Sequence, residues 1–123
     1  MFAYLIDPFA RTVTRVERSA QSAVAVLQEI YALLDCETID AVRPVNASDD
    51  VIYIDDEGKM HDEREQAYFL CRLWPLDVLA GRALWVGSEP DGSECDPRSA
   101  LEYVRDHIVW AEPRAAAMLM SID

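Results

Sequence analysis

Lysine is almost missing from this sequence, because Lys59 is the only one among 123 residues. The chain has 11 basic and 23 acidic residues, and its formal net charge is −12 at pH 7. Proteins that bind nucleic acid directly contact its phosphates with clustered lysine and arginine side chains. The composition therefore argues against direct nucleic-acid binding. It leaves two roles for the acidic surface, which are solubility and contact with a basic partner.

Histidine and cysteine are also scarce, with two and three residues respectively. Two histidines are too few for a histidine-rich transition-metal site within one chain, so we predict no bound metal. Three cysteines without a C-x-x-C pair argue against a disulfide framework, and Cys71 falls in an apolar stretch typical of a buried strand. The four glycines form no phosphate-binding motif, so we predict no cofactor.

Catalytic patterns are missing as well. Neither His61 nor His107 has a serine or cysteine nearby in sequence that suggests a nucleophile and its base. The acidic run before Gly58 invites a calcium-loop interpretation, but the EF-hand register would place Tyr53 at the first ligand position and Arg64 at the last. A solvated turn explains the run better. We predict that the protein is not an enzyme and has no catalytic residue.

Long hydrophobic runs are missing too, since no stretch reaches the roughly 18 apolar residues of a membrane span. Residues 1–7 contain no basic residue before their apolar run, unlike a signal peptide. We therefore expect a cytoplasmic protein with no membrane partner.

The apolar residues that are present amount to 51% of the chain, enough for the core of one domain. Alternating or β-branched segments predict a single α+β domain over residues 1–112, with an antiparallel or mixed sheet of about five to six strands and two main helices. A tail or short helix is expected at 113–123. The predicted strands are residues 2–6, 11–17, 39–45, 51–55, 66–73 and 82–87. We expect 51–55 and 82–87 to pair.

The first helix is predicted over residues 19–34, where apolar residues recur at helical spacing after Ser19, a possible N-cap. On this period Leu27 is expected to be buried. Pro75 is expected to begin a short helical turn that ends at residue 80. Asp96 and Pro97 form a helix-start signal, which predicts the second main helix over residues 97–112.

Acidic residues concentrate in the middle of the chain, where residues 35–66 hold 11 acids and three bases, a net charge of −8. Several of these acids bracket the predicted strand 51–55, and a strand held in a sheet keeps charges at fixed spacing. Fixed carboxylates can match a basic surface with little ordering cost. The predicted partner-binding residues are Asp49, Asp50, Asp55, Asp56, Glu57, Asp62 and Glu63.

The chain resembles a family of small proteins from phages and mobile elements that is known only as a domain of unknown function. The resemblance lies in two segments, IYIDDEGK at residues 52–59 and DVLAGRALWVG at residues 77–87. The resemblance implies a phage or prophage accessory protein, and small acidic proteins of that kind sometimes disable host defence machinery. It transfers no catalytic residue.

Three functions remain open. The leading one is a non-enzymatic protein that contacts a host protein or complex with a basic surface. The second is a small-molecule-binding or hydrolytic protein whose site is assembled across a homo-oligomer, and the third is a structural homodimer. A deep pocket lined by His107, Cys71 or convergent carboxylates would favour the second function, and a flat acidic face would favour the first.

Overall fold

The computed structural model describes residues 1–111, so the predicted tail at 113–123 lies outside the described part of the chain. Nine strands and two α-helices are present within residues 1–111, and all strand pairs are antiparallel. The strands are β1 (Phe2–Asp7), β2 (Thr12–Glu17), β3 (Ile39–Val42), β4 (Val51–Asp55), β5 (Tyr68–Cys71), β6 (Trp74–Ala80), β7 (Ala83–Ser88), β8 (Glu94–Cys95) and β9 (Ile108–Ala111). The helices are α1 (Ala23–Leu34) and α2 (Leu101–Asp106), and a 3-10 turn covers Gly58–Met60. The predicted α+β class is confirmed.

The larger sheet has six strands and is built around β7. Its order is β2-β1-β7-β4-β3, and β8 also pairs with β7. The predicted pairing of 51–55 with 82–87 is confirmed, since Ile52 lies opposite Trp85 and Tyr53 opposite Leu84. Strand β7 is therefore an inner strand, which explains why its sequence contains almost no polar residue.

Both faces of β7 are covered. Leu84 and Val86 pack with Ile30 and Leu34 of α1 on one face. Trp85 points to the other face, where it is completely buried in a cluster shared with the smaller sheet and α2. The molecule therefore has three layers, with the six-stranded sheet between α1 and the smaller sheet.

The smaller sheet has the order β6-β5-β9, and it corrects two helix predictions. Residues 75–80 belong to β6, an edge strand, where Pro75 removes no hydrogen bond from the interior of the sheet. Helix α2 has only six residues instead of the predicted 97–112, because Ile108–Ala111 pair with Tyr68–Cys71. This long-range pairing prevails over the local helical spacing of the apolar residues. Cys71 is completely buried in this sheet.

The N-cap of α1 is Ser22, three residues after the predicted Ser19, and its side chain accepts a hydrogen bond from the Ala25 amide. Ser19 does not cap the helix, and its hydroxyl instead donates to the Glu29 carboxylate at 3.4 Å. The prediction for Leu27 is wrong as well, since this side chain is 39% exposed.

Neither helix within residues 1–111 is long and apolar enough to cross a membrane.

The exposure of α1 predicts different costs for two neighbouring truncations. Ile30→Ala should lower the free energy of unfolding by about 2–5 kcal/mol, because Ile30 is 2% exposed and its loss leaves a cavity. Leu27→Ala should cost roughly 1 kcal/mol or less, because this side chain buries less apolar surface. Urea denaturation of both variants measures the difference. Equal costs would contradict the assigned helix face.

Candidate functional site

Pairing of β3 with β4 brings two acidic segments of the chain together. Ile39 lies opposite Asp55, and the Asp56 amide donates to the Thr38 carbonyl at 3.2 Å. The C-terminus of α1 ends beside the same strands, and its last turn contains no basic residue. The carbonyl end of a helix carries partial negative charge. We call the resulting surface the acidic edge, and it comprises Asp35, Glu37, Asp55, Asp56 and Glu57.

The carboxylates of the acidic edge differ in their partners. Asp55 accepts a hydrogen bond from the Glu57 amide at 2.9 Å and lies 3.3 Å from Nε2 of His61. In contrast, Glu37, Asp56 and Glu57 are exposed, and their carboxylates form no ion pair among residues 1–111. Asp55 therefore helps to shape the turn, while the other three offer charge to the solvent.

A concavity of about 330 Å³ opens beside the acidic edge. Its lining residues come from α1, β4, the β6–β7 turn and the loops around them, and are Phe9, Leu34, Asp35, Asp55, His61, Glu65, Gln66, Gly81 and Arg82. The Arg82 guanidinium lies 3.4 Å from Asp7 and 5.0 Å from the Phe9 ring centroid. The concavity thus presents three carboxylates, one imidazole and one guanidinium that already has an acidic partner.

The loop that forms one wall of the concavity is anchored to the smaller sheet. The buried Gln66 side chain donates to the Gly58 carbonyl at 2.6 Å. A Cβ at Gly58 would lie 2.6 Å from the Ala80 carbonyl oxygen, so only glycine permits this close approach. The loop between these residues is therefore held at both ends, which keeps His61 and Glu65 beside the acidic edge.

The functional groups of the concavity are carboxylates, an imidazole and a guanidinium. The His61–Asp55 pair could orient a base, but none of the lining residues is a serine, threonine or cysteine. Nearby, burial and the charges of Asp55 and Asp35 raise the pKa of Cys36 to about 11, so its thiol stays protonated at neutral pH. A hydroxyl or thiol nucleophile is therefore missing from the lining of the concavity.

His107 and Cys71 lie elsewhere. Cys71 is in the core, and Nδ1 of His107 is 2.7 Å from the Tyr103 carbonyl oxygen. The concavity has convergent carboxylates, as expected for a small-molecule site, but without these two residues. No group of three or more His, Cys, Asp or Glu side chains within residues 1–111 is placed to hold a metal ion.

Six of the seven predicted partner-binding residues are exposed or half-buried, and they separate into three groups. Asp55, Asp56 and Glu57 belong to the acidic edge, and Asp62 and Glu63 lie on the anchored loop next to it. Asp62 is partly neutralised by Arg64, at 2.9 Å. Asp49 precedes β4 and lies at the opposite end of that strand from Asp55.

Asp50 was predicted to lie on the partner-binding surface, but it is buried, with 1% of its surface exposed. Its carboxylate accepts hydrogen bonds from Trp85 Nε1 at 2.8 Å, the Ser99 amide at 2.9 Å and the Arg98 amide at 3.0 Å. Asp50 therefore has a structural role and is not available to a partner. The sequence does not distinguish Asp50 from its exposed neighbour Asp49, because the groups that donate hydrogen bonds to Asp50 come from distant segments of the chain.

The residues that sequence reasoning missed are Asp35, Glu37, His61, Glu65 and Arg82. The acids among them lie within the strongly acidic segment 35–66, but their order in the chain does not reveal which of them are neighbours in the structure. Strand pairing supplies that information.

A second charged cluster is buried between the larger sheet and α1. The Arg18 guanidinium is completely buried and pairs with both Glu29 of α1 and Glu94 of β8. The hydrogen bond from Arg18 lowers the pKa of Glu29, whereas burial raises the pKa of Glu94. Two atoms of the cluster, Arg18 Nη2 and Glu94 Oε1, are buried without a hydrogen-bond partner among the described residues.

The family model described as "Domain of unknown function (DUF3846)" matches residues 1–108. No curated protein and no solved structure matches the chain.

The contacts of Asp50 predict a large effect of a nearly isosteric change. Asp50→Asn should lower the free energy of unfolding by at least about 2 kcal/mol, because an amide NH₂ cannot accept the hydrogen bonds that the carboxylate accepts. The matched control Asp49→Asn alters an exposed side chain and should change stability by less than about 0.5 kcal/mol. Urea denaturation followed by tryptophan fluorescence tests both. Similar values for the two variants would refute the role of Asp50.

The opposite pKa shifts in the Arg18 cluster predict opposite pH dependences. The raised pKa of Glu94 contributes stability below the unfolded-state pKa of 4.5, and this contribution is lost as pH rises through the folded-state pKa. The lowered pKa of Glu29 contributes stability above 4.5, and this contribution is lost as pH falls through the folded-state pKa. The stability advantage of wild type over Glu94→Gln should therefore shrink above pH 4.5, and that over Glu29→Gln should shrink below it. Urea denaturation across this pH range measures both, and parallel pH dependences would contradict the assignment.

Proposed function

The chain belongs to the DUF3846 family, and we propose that it is a non-enzymatic binding protein that contacts a basic partner through the acidic edge. One observation carries the proposal: β3–β4 pairing gathers carboxylates from two chain segments at one end of a rigid sheet.

Rigidity favours this use of the carboxylates. The backbone of the acidic edge is held by the strand pair and by the Asp56–Thr38 hydrogen bond. A basic partner therefore meets charges at fixed positions, and little conformational entropy is lost on binding. Asp56, Glu57 and Glu37 have no ion pair within residues 1–111, so contact with a partner breaks no internal salt bridge.

The partner that fits is a host protein or complex with a basic surface. We place the protein among the accessory proteins of phages or mobile elements, acting in the cytoplasm. The resemblance of residues 52–59 and 77–87 to such proteins supports this context. In this role the acidic edge would occupy a basic groove that otherwise holds nucleic acid, and so inhibit a defence or nucleic-acid-binding complex.

A second candidate function, recognition of a small polar molecule, rests on the concavity beside the acidic edge. Its carboxylates and the His61–Asp55 pair could bind such a molecule. This candidate predicts that His61→Gln abolishes binding of a small ligand, whereas protein contact through the exposed carboxylates should tolerate the change.

The experiment compares two variants with the same change in net charge. Glu37→Gln, Asp56→Asn and Glu57→Gln together remove unpaired charges of the acidic edge. The control removes exposed charges elsewhere through Asp91→Asn, Glu102→Gln and Asp106→Asn, and of these three side chains Glu102 pairs with Arg105. Each immobilised protein is used to capture partners from a host-cell lysate, and the captured partner is titrated across a salt series.

The acidic-edge variant should bind the partner roughly tenfold more weakly, because three exposed charge pairs at about 0.5 kcal/mol each are lost. Its affinity should also depend less on salt. The control should match wild type. Equal weakening in both variants would assign the effect to net charge alone, and no difference from wild type would leave solubility as the role of the acidic edge.

A further inference from the structure

Strand β3 is an edge of the six-stranded sheet, and its outer side has no partner strand within residues 1–111. On its inner side it pairs with β4, where Ile39 lies opposite Asp55 and Ala41 opposite Tyr53. Every second residue of an edge strand directs its amide and carbonyl groups away from the sheet. Because Ala41 is exposed, this edge is accessible to an extended peptide that adds to the sheet as a further strand.

One outward group of this edge has a local hydrogen bond. The Ala41 amide donates to Oδ1 of Asp40 at 2.8 Å, so this amide points away from β4. Asp40 is exposed, and its carboxylate forms no ion pair within residues 1–111. The contact joins two consecutive residues, and a rotation of the Asp40 side chain breaks it without disturbing the strand pair. The amide can therefore change its acceptor from this carboxylate to a carbonyl group of an added strand.

A concavity of about 370 Å³ lies beside this edge, between β3 and β6 of the smaller sheet. Its lining includes Asp40 and Ala41 of β3 and three large apolar side chains, Ile54, Trp74 and Leu79. Successive side chains of a strand point to opposite faces of a sheet. A strand added to β3 therefore has side chains on the face that meets this concavity, and an apolar side chain fits its walls.

Charge complementarity defines the occupant of this edge. The acidic edge lies at the N-terminal end of β3, because Glu37 precedes the strand and Asp55 lies opposite its first residue. Once released from the neighbouring amide, Asp40 adds a carboxylate to the same region. Arg43 follows the C-terminal end of the strand. Basic side chains of a bound segment are therefore attracted to the end beside Glu37 and repelled from the end beside Arg43.

We propose that β3 binds an extended segment of a partner protein, which adds antiparallel to it and carries basic side chains after its strand. All strand pairs within residues 1–111 are antiparallel, and this orientation places the C-terminal end of the added segment at the acidic edge. The proposal rests on the proposed function and specifies how the basic partner is held. A partner carbonyl accepts from the Ala41 amide, while Asp40 exchanges this amide for a basic side chain. The exchange leaves no polar group without a partner.

Two other edge strands are less accessible. In β2 the Val13 carbonyl already accepts a hydrogen bond from Nε of Arg105 at 3.0 Å. In β6 the Val78 amide donates to Oδ1 of Asp77 at 2.8 Å, a contact like that in β3, but Val78 is only 1% exposed. The same local contact thus occurs at one accessible and one inaccessible position, which provides a matched control.

The test uses three synthetic peptides in NMR titrations of the ¹⁵N-labelled protein. Acetyl-VTVTKKK-amide is a strand with a basic end, and acetyl-VTVTSSS-amide is a neutral strand. The third peptide has the basic sequence with its strand amides N-methylated, so it keeps the charge but cannot donate backbone hydrogen bonds. The basic strand should shift the amides of Ile39 and Ala41, and intermolecular NOEs should join its backbone to theirs. It should bind at least about tenfold more tightly than the N-methylated peptide.

Matched variants test the exchange at the Ala41 amide. Asp40→Ala frees this amide and should strengthen binding of the neutral strand roughly two- to tenfold, because the competing acceptor is lost. Asp77→Ala removes the same contact at the inaccessible Val78 and should leave binding unchanged. Ala41→Pro removes the amide on the solvent side of an edge strand, where proline is tolerated, and should reduce binding of the basic strand to that of the N-methylated peptide. The two aspartate variants remain informative if Ala41→Pro fails to fold.

The acidic-edge variant Glu37→Gln, Asp56→Asn and Glu57→Gln separates this proposal from the proposed function. It should remove most of the preference for the basic over the neutral strand, while the neutral strand still binds. If it keeps the full preference, the charge contact of the proposed function is wrong.

Other results overturn the addition of a strand and leave the charge contact standing. These are equal binding of the basic and N-methylated peptides, or wild-type binding by folded Ala41→Pro. Strand addition is also wrong if no peptide binds at β3, if Asp40→Ala fails to strengthen binding of the neutral strand, or if Asp77→Ala strengthens it equally.

Discussion

The hydrogen bonds to the buried Asp50 carboxylate connect the two halves of the molecule. Trp85 of the inner strand β7 donates to it from the core, while the Arg98 and Ser99 amides donate from the segment that leads into α2. The side chain of Ser99 in turn donates to the Ala47 carbonyl at 3.2 Å. A charged acceptor in a nearly dry environment makes strong hydrogen bonds and is costly to leave unpaired. These hydrogen bonds therefore hold α2 and the smaller sheet against the six-stranded sheet.

The loop before Asp50 has an unfavourable backbone conformation that the surrounding hydrogen bonds stabilise. Asn46, Ser48 and Asp49 all have positive φ angles, of 54°, 54° and 67°. Left-handed backbone at residues other than glycine is unfavourable, and it persists only where surrounding contacts determine it. Here the Tyr103 hydroxyl donates to the Asn46 carbonyl at 2.7 Å, and the Asp50 amide donates to Ala47 at 2.9 Å. The entry into β4 is thus positioned by α2, and β4 in turn positions the acidic edge at its far end.

The acidic residues of this chain serve different physical purposes. Asp50 and Glu94 are buried and bind internal donors, whereas Asp56 and Glu57 are exposed and carry the surface charge. Net charge alone does not distinguish them. The buried acids therefore serve the packing of the interior, and the exposed acids of the acidic edge set the charge of the surface.

Sequence by itself determined the fold class, the pairing of 51–55 with 82–87, the burial of Cys71 and the concentration of acids in residues 35–66, because these follow from local apolar pattern and composition. Tertiary structure alone decided the rest. Residues 108–111 have helical spacing but form a strand, because β5 offers them unpaired backbone groups. Asp49 and Asp50 are chemically identical neighbours, yet only Asp50 meets Trp85, which lies 35 residues away in the chain. Contacts between distant segments determine which charges are buried, and no local pattern encodes them.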